Sequence, residues 1–313
     1  MMLATQKYKI LIGDKMKANL YSDEKVVLTV ATTGGLHGKE ANSALPEQPE
    51  EIVSNFESAF AAGATIAHIH VRDKQGRTSS DTSIYAEVVA GIKERCPGMI
   101  TQVGNGIGIC RESETSWRGF TQEERMNLLN IDPPPDMLTV NAGTFHFGHK
   151  NAEFIFDNSK GWNREFIEGC KERGIVNELE VYDMSHIYNM LQLRDEGILV
   201  GPMHFSFVLG INGGMPADPR YLMMMLDAIP EGSSWQIVSV GRSHLPLTTV
   251  TVAMGGNMRT GFEDTVHYRR GELAKSNEQL VSRAVRIIRE LGRDVASVDE
   301  ARQSLHMSRA NKS

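Results

Sequence analysis

The chain has 313 residues, 41% hydrophobic and 23% charged, the make-up of a soluble globular protein rather than a disordered or fibrous one. Its 33 basic and 39 acidic side chains leave a net charge of −6, which excludes a broad nucleic-acid footprint, so no nucleic acid is expected as a partner. No run approaches the roughly 18 uncharged apolar residues of a membrane span, and the first residues scatter their lysines instead of placing a basic cap before an apolar block, so no membrane partner and a cytoplasmic location are expected.

From the N-terminus onward, short β-branched runs alternate with longer amphipathic stretches at intervals of roughly 25 to 40 residues. Strands are predicted at Val26–Ala31, Ile66–His70, Ile100–Val103, Met137–Val140, Glu178–Val181, His204–Leu209, Trp235–Val240 and Asn257–Thr260. Helices are predicted at Pro49–Ala62, Ser83–Cys96, Thr121–Asn130, Asn163–Arg173, Met184–Glu196, Pro219–Ala228, Leu245–Ala253 and Asn277–Leu291. Pro49-Glu50-Glu51 starts one helix with first-turn acids, and Thr121 with Glu124 forms a capping box. Gly63 and Gly174 stand where helix ends favour a left-handed residue. A long polar insertion, Leu36 to Gln48, follows strand one, placed to cover a mouth or cross to a neighbouring subunit. Pro133-Pro134-Pro135 makes a stiff lead-in to strand four. The charged tail from Asp294 is expected outside the barrel or against a partner.

Eight successive βα units close most economically into a (β/α)8 TIM barrel, with working residues at the carboxyl ends of the strands. A doubly wound open sheet would want a glycine fingerprint after strand one, and Thr32-Thr33-Gly34-Gly35 does not supply it. No composition shift marks a second domain. The expectation is one barrel domain over 1–313, with a core of about 24–292, an N-terminal extension 1–23 and a helical tail 293–313.

His68-Ile69-His70 ends strand two, and residues i and i+2 of a strand share a face, so both imidazoles project into the mouth. They form either half of a metal site or a hydrogen-bonded pair. Strands two and eight both flank strand one, so Glu263, in Arg259-Thr260-Gly261-Phe262-Glu263-Asp264 after strand eight, is the candidate third ligand. Asp264 is then a free carboxylate beside the metal, and Arg259 a fixed cation that either orients it or binds an acidic substrate. Two histidines and one carboxylate on Zn2+ leave a charge near +1 and an open position, suited to an anionic oxygen ligand. Gly104-Asn105-Gly106 after strand three offers backbone N–H groups to an anion or is a plain tight turn. Asn141 to Thr144, Glu180 and Asp183 are further polar residues at strand ends, and a salt bridge from Glu180 to Arg72 or Arg242 is the alternative to a role in the site. His204 and His244 are expected in the core or rim, Met223, Met224 and Met225 in helix packing. Cys96, Cys110 and Cys170 are widely spaced and read as reduced residues.

These blocks resemble the β-keto acid cleavage enzyme family over nearly the whole chain, from Val26 to about Ala301. The likeness rests on Thr29 to Gly34, His68 to Asp73, Glu178 to Asp183, His204 to Gly210 with Gly213-Gly214-Met215, Gly261 to Asp264, and Gly271 to Asn277. It implies a zinc-dependent (β/α)8 enzyme that reacts a β-keto acid with acetyl-CoA, giving acetoacetate and a new acyl-CoA. It also implies one Zn2+ per chain on His68, His70 and Glu263, an acid/base at Asp264 partnered by Arg259, and a homotetramer. Thr33, Leu36, Gly104, Asn105, Gly106, Asn141 and Glu180 are the candidate substrate contacts. Two departures point to a different substrate side chain: Leu36 stands where the family's representative has an ammonium-recognising glutamate, and Gly104 replaces a serine. A barrel metal-dependent hydrolase, with HxH and a late aspartate, and a non-catalytic small-molecule binding barrel are the alternatives.

Overall fold

The computed structural model describes residues 18–20, 22–106, 109–111, 117–149 and 152–307; most of the expected N-terminal extension and the end of the tail lie outside them. Eight strands form one sheet: β1 (Leu28–Ala31), β2 (Ile66–Ile69), β3 (Ile100–Val103), β4 (Met137–Asn141), β5 (Val176–Val181), β6 (His204–Leu209), β7 (Ser234–Ser239) and β8 (Met258–Thr260). Neighbours pair in parallel in the order β7-β6-β5-β4-β3-β2-β1-β8. Across the remaining seam the Asn257 N–H donates to the Trp235 carbonyl at 2.9 Å, which completes the expected (β/α)8 barrel. Most strand residues are buried on both faces, which is why the strands read as nearly continuous β-branched runs.

The helices are α1 (Pro49–Ala61), α2 (Thr82–Arg95), α3 (Gln122–Met126), α4 (Lys160–Glu172), α5 (Met184–Asp195), α6 (Pro219–Ala228), α7 (His244–Ala253), α8 (Asn277–Glu290) and α9 (Val298–Ser304). Thr121 and Glu124 form the predicted capping box, and Gly63 and Gly174 adopt φ of 115° and 68° at helix ends. Cys96 and Cys170 are buried and free, while the Cys110 side chain lies outside the described residues.

The barrel interior is layered by the two-residue period of its strands. At the floor, Ile66, Ile100 and Met137 form a buried cluster. Above it, the Gln236 amide donates to Glu178 (3.3 Å) and to Ser206 (3.0 Å), and the Ser206 hydroxyl donates to Glu178 at 2.8 Å. The next inward residues, His68 and Glu180, open into the mouth.

The tail departs from expectation. It closes the barrel floor: Ala296, Ala301 and Leu305 pack into the floor cluster, the Leu305 carbonyl lies 2.9 Å from His204 Nε2, and Arg302 pairs with Asp136 at 3.0 Å. A barrel of parallel strands leaves an apolar floor that something must cover, and here the chain covers its own. The insertion after β1 lies along the opposite rim. Leu45 is buried with Phe262, Ala274 and Leu280, and the Asn42 amide donates to the Val266 and Ala274 carbonyls at 3.2 and 2.8 Å. Arg72 clamps the start of the insertion by donating to the Gly34 carbonyl (2.6 Å) and the His37 carbonyl.

Leu305 is 4% exposed, so Leu305→Ala removes buried volume from the floor. The expected loss is about 2–4 kcal/mol of stability, read as a lower urea midpoint at unchanged m-value.

Candidate metal and acid–base site

Register determines which side chains meet at the mouth. Thr29 of β1 pairs with Arg259 of β8 on one side, and Ala31 pairs with His68 of β2 on the other, so one strand carries both halves of the site. His68 and His70 are buried with their Nε2 atoms 3.2 Å apart, and both lie 3.6 Å from the Glu263 carboxylate. A tetrahedral cation with bonds of ~2.0–2.2 Å needs donor–donor edges of roughly 3.3–3.6 Å. The His68–His70 edge of 3.2 Å and the 3.6 Å from each ring to one of the two Glu263 oxygens lie close to that range, and one ligand atom from each residue falls within 4.8 Å of the others. Glu263 Oε2 is buried without a hydrogen-bond partner, a costly arrangement for a carboxylate unless a cation faces it.

The imidazoles are prepared for that role. Burial first, and then the Arg259 charge, hold both rings neutral, with His70 pushed down to about 3. Gln102 Oε1 lies 2.7 Å from His68 Nδ1; an amide oxygen only accepts, so Nδ1 carries the proton and the Nε2 lone pair turns toward the cluster. Gly104 provides the room: a Cβ there would sit 2.4 Å from His70 Nε2 and 2.9 Å from His68 Nε2. With the rings in these positions, the missing serine side chain is a steric condition of the site.

Arg259, 1% exposed, binds the carboxylates together. Its Nε and Nη2 donate to the two oxygens of Asp264, both at 3.0 Å; Nη2 also donates to Glu263 at 2.6 Å, and Nη1 lies 3.8 Å from Glu180. Burial works against the guanidinium charge, but Asp264, Glu263 and Glu180 outweigh it and keep it ionised. Burial likewise pushes Glu263 above the usual carboxylate range; Arg259 opposes the shift, and Asp264 and Glu180 add to it. Neither salt bridge that stood as the alternative to a site role for Glu180, to Arg72 or to Arg242, is formed. Arg72 is taken up by the rim insertion and Arg242 is exposed, so Arg259 is the cation Glu180 faces. The Tyr182 hydroxyl donates to Glu180 at 3.1 Å. The Asn141 amide, oriented by its neighbours, donates to Glu180 (3.1 Å) and the Tyr182 oxygen (2.6 Å) and accepts from the Gly106 N–H (3.0 Å).

These groups open onto a cleft at the barrel mouth. Leu36, His70, Gly106, Glu180, Arg259, Glu263 and Asp264 line it. Thr33, Gly104, Asn105 and Asn141 act from behind. The Thr33 hydroxyl accepts from Arg72 at 3.2 Å, and Asn105 accepts from the buried Arg125. All three N–H groups of Gly104, Asn105 and Gly106 are engaged, by the Ile69 carbonyl, Thr139 and Asn141, so this turn is not an anion nest. Asp183 caps α5. His204 lies at the floor, His244 bridges Ser239 and Thr260, and the His186 ring receives the Tyr182 N–H, so none joins the cluster.

Sequence reading missed the cleft's other wall. A hairpin of strands Phe145–His149 and Ala152–Phe156 carries Phe145, Phe147, Phe154 and Phe156 into the cleft. Phenylalanines at alternate positions in both segments were the available signal. Gln102 was missed as well, since an inward glutamine on a buried strand carries no motif.

A family model described as beta-keto acid cleavage enzyme matches residues 25–307. The chain is 38% identical over 286 residues to a 3-keto-5-aminohexanoate cleavage enzyme of Fusobacterium nucleatum, covering 91% of this chain and 99% of that one. It is 33% identical to a 3-oxoadipate:acetyl-CoA acetyltransferase of Cupriavidus necator, over 89% and 94% of the two chains. A structure of the binary complex of ObcA with oxaloacetate superposes with a TM-score of 0.68 at 17% identity, covering 85% of this chain and 68% of that one, a likeness of fold.

Burial pushes Glu180 up to about 7 from an unfolded value near 4.5, with Arg259 pulling the other way. The native state therefore holds the extra proton across that window, so this carboxyl's contribution is full below it and lost as pH rises through about 7. Glu180→Gln should lose about 1–3 kcal/mol less stability than the parent between pH 5 and pH 8, compared by urea unfolding at the two pH values.

Proposed function

The chain belongs to the beta-keto acid cleavage enzyme family, and on that premise we propose that it is a zinc-dependent enzyme that condenses a β-keto acid with acetyl-CoA and cleaves the adduct to acetoacetate and a new acyl-CoA. The observation that carries this reading is the meeting, in one cleft, of three cation donors and a buried carboxylate fastened by an arginine.

His68, His70 and Glu263 would hold Zn2+, which, when bound, supplies Lewis acidity to the two oxygens that a β-keto acid presents in a 1,3 relation. Asp264 lines the same cleft and takes the proton from the carbon between the two carbonyls. Arg259 aims Asp264 through two parallel hydrogen bonds. The resulting carbon nucleophile attacks the thioester carbonyl of acetyl-CoA, and the CoA thiolate leaves. That thiolate then adds to the original keto carbonyl. Breaking the bond to the central carbon releases the acyl-CoA, and the acetoacetate carbanion recovers its proton from Asp264. No protein nucleophile is required, in keeping with two described cysteines that are buried and held as thiols, burial raising both.

A barrel hydrolase reading calls for further histidines after β5 and β6, and His186 and His204 are engaged elsewhere. Cytoplasmic location and a homotetramer remain parts of this proposal; the structure adds that no helix among the described residues is long and apolar enough to cross a membrane.

Metal analysis of the purified protein should find about one zinc per chain, lost in His68→Ala and Glu263→Gln with the circular dichroism spectrum retained. Asp264→Asn should keep the metal while kcat falls about 10²- to 10⁴-fold. Equal activity of chelator-stripped and zinc-loaded protein, or acyl-CoA formation without a β-keto acid, would refute the reading.

A further inference from the structure

The chemistry above uses one side of the cleft and leaves the hairpin side without a task. There Phe145 stacks on Tyr182 with ring centroids 4.4 Å apart and meets Phe156 edge-on at 5.5 Å, and Phe147 lies 5.3 Å from Phe154. Val208 and Val238 are buried with them, and Ile211 packs against the group. The wall is braced from behind. Arg125 is 1% exposed, lies 4.5 Å over Phe156 and 4.3 Å over Trp162, and donates to Asn158 and the Asp157 carbonyl.

Among the described residues lining the cleft, Glu180, Glu263 and Asp264 all face Arg259, and His70 is held neutral beside them. Among the described residues that line the cleft, the phenylalanine side offers no carboxylate to neutralise an ammonium and no cation to neutralise a carboxylate. Burying either charge there without a partner is unfavourable. Phe145 packs stacked on Tyr182 and edge-to-face on Phe156, so these rings form a continuous apolar wall.

Resting on the β-keto acid reading, we propose that the substituent on the substrate's keto carbon is an uncharged apolar chain that lies along the wall of Phe145, Phe147, Phe154 and Phe156. With the 1,3-dicarbonyl end at the His68–His70–Glu263 cluster and Asp264 beside it, the remainder of the molecule extends over the hairpin. The wall thereby selects the acyl group that leaves as the thioester.

The test assays the full-length zinc-loaded protein with acetyl-CoA and four 3-oxo acids: 3-oxooctanoate, 3-oxoadipate, an ammonium-bearing acid and a trimethylammonium-bearing acid. Mass spectrometry of the acyl-CoA products gives kcat/KM, and the apolar acid should exceed each charged one by about 100-fold. Phe154 is only partly buried, so the ammonium of Phe154→Lys can remain solvated at the cleft. That variant should raise kcat/KM for 3-oxoadipate relative to 3-oxooctanoate by about tenfold, whereas Phe154→Leu keeps the parent ranking. A charged acid preferred by the parent protein, or a ranking untouched in Phe154→Lys, overturns the inference and leaves the condensing activity standing. If none of the acids is turned over, the functional reading fails. Calorimetric binding of the same acids then decides the wall separately: selectivity for the apolar acid upholds it, and any other ranking overturns it.

Discussion

One buried guanidinium makes the rest of the site possible. Glu180, Glu263 and Asp264 crowd the barrel mouth, and three carboxylates removed from water there would repel one another and pick up protons. Arg259 bonds two of them directly and faces the third, so one fixed positive charge offsets their repulsion where a cation must be held and a proton removed. The backbone enforces the arrangement. Gly261, between Arg259 and Glu263, has φ of +144°, and a Cβ there would lie 2.0 Å from the Ala31 carbonyl. Only glycine lets the chain turn so tightly against β1 and bring residues 263 and 264 back over the arginine.

Beneath this level the barrel is built to keep the imidazoles still. Gln102 pins His68 from the adjacent strand, and the Glu178, Ser206 and Gln236 layer fills the interior below with satisfied polar groups. A polar layer in a barrel core is tolerable because its hydrogen bonds are completed within the layer. The tail seals the apolar floor. Each tier depends on the one below, so the ligand geometry is set by packing that begins at the opposite end of the barrel.

The two walls of the cleft have different structural origins. Groups proposed to act in the chemistry come from the ends of β2 and β8 or the turn directly after them, where backbone pairing fixes position closely. The aromatic wall stands on a hairpin beyond β4, outside the barrel ladder. A hairpin can change its side chains without disturbing strand register, so a common reaction centre can sit beside a recognition surface particular to one chain.

Much of this was legible in the residues themselves. The eight βα periods, the Thr121–Glu124 box, and the three candidate ligands with Asp264 and Arg259 all follow from local periodicity and from side chains whose chemistry is uncommon at strand ends. The hairpin was not, because its Phe-x-Phe segments are short and look like loop until something packs on them. The role of Gly104 was also hidden: an absent side chain has meaning only when two rings from another strand are seen to fill its space. The same holds for the tail, whose charged exterior concealed Ala301 and Leu305. Sequence alone determined which elements form and which residue types can bind a cation or move a proton, since periodicity and donor chemistry are properties of single segments. Tertiary structure decided which carboxylate Arg259 serves, what Gly104 makes room for and what the second wall is made of, because those depend on distances between segments that only the closed barrel brings together.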